Sequence, residues 1–233
     1  MGAEVESDAM LEDEQYRAAV IDLLGVLACG ELMAFERLAA DAALAPSVDD
    51  EVSLAGMAAA EFRHFSRLRD RLVELGADPA DAMAPFRGPL ERFHAMTAPS
   101  DWLEGLVKAY VGDGIGIDFY REIAEYLDPQ TRALVLEVCE DLGQSAFVVD
   151  RVRAAIAADP RVEGRLALWA RRLVGEALSQ AQHVAAERDA LTALLVGQTG
   201  APGAGLDLTE IGALLSRLTD EHARRMQALG LSS

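Results

Sequence analysis

Apolar residues recur at three- and four-residue steps along most of this chain, the spacing that lines one face of an α-helix. In the first long segment Leu24, Leu27, Glu31, Phe35 and Leu38 form one line, and in the second Met57, Glu61, His64, Phe65, Leu68 and Leu72 form another. Val-Ile-Thr-rich alternating runs are absent, so the pattern predicts an all-α protein. The first predicted helix runs from about Glu12 to Ala43 and stops before Pro46. The second opens at the capping box Ser47-Val48-Asp49-Asp50 and ends at Gly76, which makes the pair a short-looped hairpin.

Residues 77–100 carry Pro79, Pro85, Pro89 and Pro99, a density that predicts an extended crossover rather than a helix. A third helix is expected from Asp101, with Glu104 completing a capping box, to Leu127. Asp128-Pro129 opens a fourth, Asp159-Pro160 a fifth that reaches Gly197, and Asp207 caps a last amphipathic helix over 208–229. Two hairpins joined by one long crossover have the connectivity of ferritin-like four-helix bundles, here with additional C-terminal helices. The expected organisation is a disordered acidic tail over 1–13, the bundle over 14–196, a flexible loop over 197–207, and a terminal helix that covers the bundle or mediates self-association. A homodimer is therefore among the expected partners.

Composition narrows the function. A hydrophobic content of 51% can fill a substantial core. The formal charge of −18 disfavours autonomous binding to nucleic acid or anionic lipid, because both are held by Lys and Arg. Cys29 and Cys139 fall inside predicted helices and make neither a disulfide framework nor a zinc-finger spacing, which suits a reducing cytoplasm. The acidic start has no signal-peptide pattern, and no stretch approaches about 18 unbroken apolar residues, so no membrane span is expected.

The chemistry lies in the polar residues within the apolar stripes. A Glu placed there must be paired, protonated or bound to a cation, and one metal ion satisfies Glu31, Glu61 and His64 together. Ferritin-like carboxylate sites take one Glu from each of two helices and Glu-x-x-His from each of the other two. Glu31 and Glu61-Phe62-Arg63-His64 supply one such half. Laying Gly112-Asp113 over Gly30-Glu31 places Asp113 as the second single carboxylate, and Asp141-x-x-Gln144 falls over Glu61-x-x-His64. The second half is weaker, with shorter carboxylates and a neutral amide, so the chain is expected to hold two ions, one, or none. Iron suits the donors, manganese is the alternative, and a degenerate site would hold neither. A hydrogen-bonded core network closed by Arg or Tyr is the competing reading.

His183 lies on a solvated side of the fifth helix, while His94 and His222 lack partners at ligand spacing and are expected at the surface. Tyr110 and Tyr120 are expected in the core, with Asp118 and Glu36 as reserve ligands. Gly112-Asp113-Gly114-Ile115-Gly116 follows helical sequence and lacks the strand-to-helix turn of a phosphate loop.

Several motifs together resemble a known family. They are Gly30-Glu31 with Ala34-Phe35-Glu36-Arg37, Ala60-Glu61-Phe62-Arg63-His64, Ala82-Met83-Ala84-Pro85-Phe86, and Lys108-Ala109-Tyr110-Val111-Gly112-Asp113-Gly114 followed by Asp118-Phe119-Tyr120. Over roughly Tyr16 to Val196 the chain resembles the actinobacterial ferritin-like proteins similar to the tRNA hydroxylase that acts on 2-methylthio-isopentenyl-adenosine. That resemblance implies a ferritin-like fold and a non-haem di-iron centre that uses dioxygen to hydroxylate a substrate. Glu31, Glu61 and His64 match its ligand motif directly, and Asp113, Asp141 and Gln144 match it with substitutions. A redox partner and a substrate, neither identified, complete the expectation. The rival reading is a catalytically degenerate bundle acting as an interaction or structural protein.

Overall fold

A computed structural model of the chain describes residues 2–140, 144–195 and 208–232, and no strand occurs among them. The element order is α1 (Gly2–Leu11), α2 (Glu14–Ala42), α3 (Val48–Glu74), α4 (Pro79–Met96) and α5 (Trp102–Val107). A π-helical turn (Lys108–Gly112) leads into α6 (Asp113–Ile123), which a 3-10 turn (Ala124–Tyr126) terminates. Then come α7 (Pro129–Val138), α8 (Gln144–Ala158), α9 (Arg161–Glu187), α10 (Asp189–Leu195) and α11 (Leu208–Leu229).

Short polar side chains start the helices where the sequence places them. The amides of Gln15 and Tyr16 donate to Asp13 at 2.9 Å, and the amide of Asp50 donates to Ser47 Oγ at 3.2 Å. Gly76, at φ 74°, ends α3 in the left-handed conformation, with the Ala77 amide reaching back to the Leu72 carbonyl at 3.0 Å. Asp128 caps α7 and is itself fixed by α2, since its amide donates to the Tyr16 hydroxyl at 2.6 Å. That bond ties the two halves of the bundle together.

Four sequence expectations are corrected. Residues 2–11 form a helix rather than a disordered tail. α1 packs on α7, with Ser7 fully buried and its hydroxyl accepting from the Gln130 amide at 3.1 Å. The crossover is also helical, despite Pro85 and Pro89 inside α4. Phe86, Pro89 and Phe93 are buried there, and α4 packs against α2 and α9, so burial offsets the backbone bonds the prolines cannot make.

The third predicted helix is interrupted by the π-helical turn, where Lys108 is fully buried and its Nζ donates to the Thr97 carbonyl at 2.7 Å. The fifth breaks at Arg188, which leaves the helical conformation to pair with the buried Asp22 of α2. An unpaired Asp22 inside that apolar face would cost more than the break.

The core divides into two apolar clusters. One holds Leu23, Leu27, Leu68, Leu72 and Phe86, and the other holds Leu38, Leu54, Met57, Leu106 and Trp169. On α2 the layer between them contains Glu31, and on α3 it contains Glu61 and His64. α2 is long and apolar enough to cross a membrane by length and composition, yet most of its apolar window is buried against the other helices.

Candidate metal centre

The i, i+3 spacing of Glu61 and His64 puts both on the α3 face that meets Glu31 of α2. Their donor atoms all lie within 4.8 Å of one another. His64 Nδ1 is 3.3 Å from Glu31 Oε2 and 3.7 Å from Glu61 Oε2, and the three side chains are 15–18% exposed. Burial, reinforced by the hydrogen bond to Glu61, pushes the Glu31 carboxyl well above its ordinary value. Burial acts the same way on Glu61, but its bonds to Glu31 and His64 outweigh it and hold that carboxyl low. The two carboxyls pull His64 up to about 9 against the opposing effect of burial.

Buried Glu31 Oε2 faces His64 Nδ1 at 3.3 Å in a geometry that makes no well-aligned hydrogen bond. Two carboxylates and one imidazole form a donor set suited to iron or manganese, and a buried oxygen that lacks a well-aligned donor is the observation that fits the set to a cation. Such an arrangement also favours protons, on the raised Glu31 carboxyl and the His64 ring.

The second half is placed differently. Asp113 reaches the same cavity as Glu31 and Glu61, but its Oδ2 accepts from Arg37 Nη2 at 3.0 Å, and burial raises its carboxyl to about 6 against the pull of Arg37. Asp118 accepts from Arg225 Nη2 at 2.6 Å, and Glu36 is exposed. Asp141 lies outside the described residues, as does the side chain of Gln144, whose backbone begins α8. Arg37 entered the sequence reading only as the end of the Ala34-Phe35-Glu36-Arg37 motif, without a role, although it follows Glu31 and Ala34 at three-residue steps along α2.

The cluster opens on a cavity of about 710 Å³ walled by α2, α3, α4, α6, α9 and α11, among others. Tyr110 and Tyr120 line it. So does His94, contrary to the expectation of a surface residue: it is half-buried, and burial lowers its ring to about 3. His222 is also half-buried, with burial lowering its pKa, because α11 folds onto the bundle. His183 is exposed as expected.

Residues 14–198 match the family described as "Ferritin-like domain, actinomycetes". The chain belongs to this ferritin-like family. No curated protein matches it. The ferritin-like segment contains Glu31, Glu61, His64 and Asp113, whereas α1 and α11 fall outside it. One wall of the cavity is thus built by a helix beyond the family domain.

Proposed function

We propose that this ferritin-like protein is a non-haem metal protein of the oxidase or hydroxylase class, holding one iron or manganese ion on Glu31, Glu61 and His64 beside a substrate cavity. The observation that carries this reading is the convergence of three ligand-type groups at the wall of a large apolar cavity, with one buried carboxylate oxygen lacking a well-aligned donor. Reduced iron bound there would supply dioxygen chemistry. Glu31 and Glu61 provide the negative charge that balances a divalent cation, and His64 gives up its proton to become a nitrogen donor. The apolar wall excludes bulk water and strengthens every electrostatic contact within it.

A single ion is the reading the described side chains support, because Arg37 engages the carboxylate that a second ion would need. The resemblance to tRNA hydroxylases supports the class of chemistry. The charge of −18 weighs against tRNA itself, so we favour a small substrate.

The test is elemental analysis of protein purified without chelator or affinity metal, alongside the double variant Glu61→Ala/His64→Ala. Bound metal is expected in the parent and absent from the variant, and equal stoichiometry in the two would reject the assignment. The Arg37–Asp113 pair favours a second reading, a degenerate scaffold that works through interactions. Reproducible oxygen consumption by the reduced, iron-loaded protein would exclude it.

A further inference from the structure

The cavity beside Glu31, Glu61 and His64 is an elongated trough. Its wall follows α2 from Val26 to Arg37 and α11 from Leu215 to Ala228, lengths of about 17 and 20 Å at a helical rise of about 1.5 Å per residue. The volume of about 710 Å³ spread over that length leaves a bore roughly 7 Å across. A compact molecule of the same volume is too wide for it, whereas one extended chain fits.

The trough crosses the boundary between the two apolar clusters of the core. On one side of the layer holding Glu31, Glu61 and His64 its wall is Val26, Leu27, Ile117, Val184 and Leu191, which belong to the first cluster or pack on it. On the other side stand Met57, Phe93, Ala109, Ile115 and Ala177, of the second. Every one of these keeps accessible surface, so an occupant can touch it. The unpaired charge in the interior belongs to the cluster itself, because Arg37 and Arg225 are closed on Asp113 and Asp118 at 3.0 and 2.6 Å. Arg121, Glu140, Glu221 and Arg224 stand at the solvent edge. At the rim Leu178 of α9 and Leu215 of α11 are 39% and 49% exposed. Apolar wall left wet on both sides of a polar centre favours a hydrocarbon occupant, by about fourfold in affinity per buried methylene.

We propose that the trough binds one long hydrocarbon chain laid across the cluster, so that an interior carbon of the chain, and not its end, faces Glu31, Glu61 and His64. The inference rests on the reading above in taking this cavity as the substrate site. An extended chain advances roughly 1.25 Å per carbon, so the trough holds about 14 to 16 carbons. Ala177 and Val184 stand about two turns apart on α9, one in each arm, and such a chain must pass both.

Displacement of the dye Nile red from the full chain tests it, with straight-chain carboxylates from octanoate to icosanoate as competitors, each below its micellar concentration. The headgroup is constant, so only chain length is compared. Affinity should rise about fourfold per methylene to tetradecanoate or hexadecanoate and then level off, as further carbons find no wall. A rise that continues to icosanoate, or displacement by none of the series, overturns the proposal. Ala177→Trp and Val184→Trp each block one arm. Each should weaken hexadecanoate about tenfold or more, as the loss of two or more buried methylenes implies, and move the levelling-off to shorter chains. A profile unchanged by either variant would mean that the chain uses one arm only, which also overturns the proposal. Ala177→Leu and Val184→Phe take their place where circular dichroism shows a tryptophan variant unfolded. Metal content is measured on the same samples: absent metal with the length limit intact sinks only the metal reading, and bound metal without a length limit sinks only this one.

Discussion

At the scale of residues, the chemistry of Glu31, Glu61 and His64 is governed by protons as much as by any metal. In metal-free protein the two carboxyls raise His64 from 6.5 to about 9, so its contribution to stability is full below pH 6.5 and is lost as pH rises through about 9. Thermal unfolding of metal-free protein should therefore show His64 favouring the fold less across that window, and Glu31, raised by burial, acts in the same sense. A divalent cation competes with the same proton. Apparent metal affinity should climb about tenfold per pH unit for each proton released between pH 6.5 and 9, which titration with a metal-sensitive dye would measure. Asp113 serves as the contrast. Because its carboxylate is held by Arg37, Asp113→Asn should leave metal stoichiometry unchanged, and elemental analysis showing loss of metal would place Asp113 among the ligands. The stripe pattern made Glu31, Glu61 and His64 legible because the helical repeat alone puts them on one face. Arg37 against Asp113 was not legible, since 76 residues separate the partners and only packing brings them together.

At the scale of elements, capping chemistry located most helix starts, and packing decided which helices continue. α4 is helical because its buried face lies on α2 at close range. Gly25 is the contact point, where an added Cβ would collide with the Ala82 carbonyl oxygen and press on the Phe86 ring. Gly25→Ala should destabilise the protein by about 1–3 kcal/mol through overpacking, read from chemical denaturation. Gly175, with nothing within 4 Å of an added Cβ in the middle of α9, should behave oppositely. Gly175→Ala should stabilise by up to about 1 kcal/mol from helix propensity alone. Proline count misled at the crossover because it registers the lost backbone bond and not the apolar surface buried against α2 and α9. The breaks at Lys108 and Arg188 were hidden for a related reason: each answers a polar partner outside its own helix, the Thr97 carbonyl at the end of α4 for Lys108 and Asp22 of α2 for Arg188.

At the scale of the whole molecule, the C-terminal helix completes what the ferritin-like segment leaves open. α11 is fastened to α6 through Arg225–Asp118 and Arg217–Glu122, and to α8 through Arg153 donating to the Ala228 carbonyl. A chain ending at residue 207 should bind as much metal as the full chain, because none of the three proposed ligands lies on α11, but should show raised binding of a hydrophobic dye as the cavity wall is lost. Unchanged dye binding, with helix content reduced only by the residues of α11, would show that α11 does not enclose the cavity. The sequence by itself determined the all-helical class, most helix starts, and the Glu31, Glu61 and His64 constellation, because helical periodicity and capping act over three to seven residues. Tertiary structure alone decided that α4 stays helical, that Arg37 engages Asp113, and that α11 supplies a wall and a guanidinium to the cavity. Those outcomes depend on which buried charge finds which partner across the fold, and a periodic pattern carries no information about distances between elements far apart in the chain.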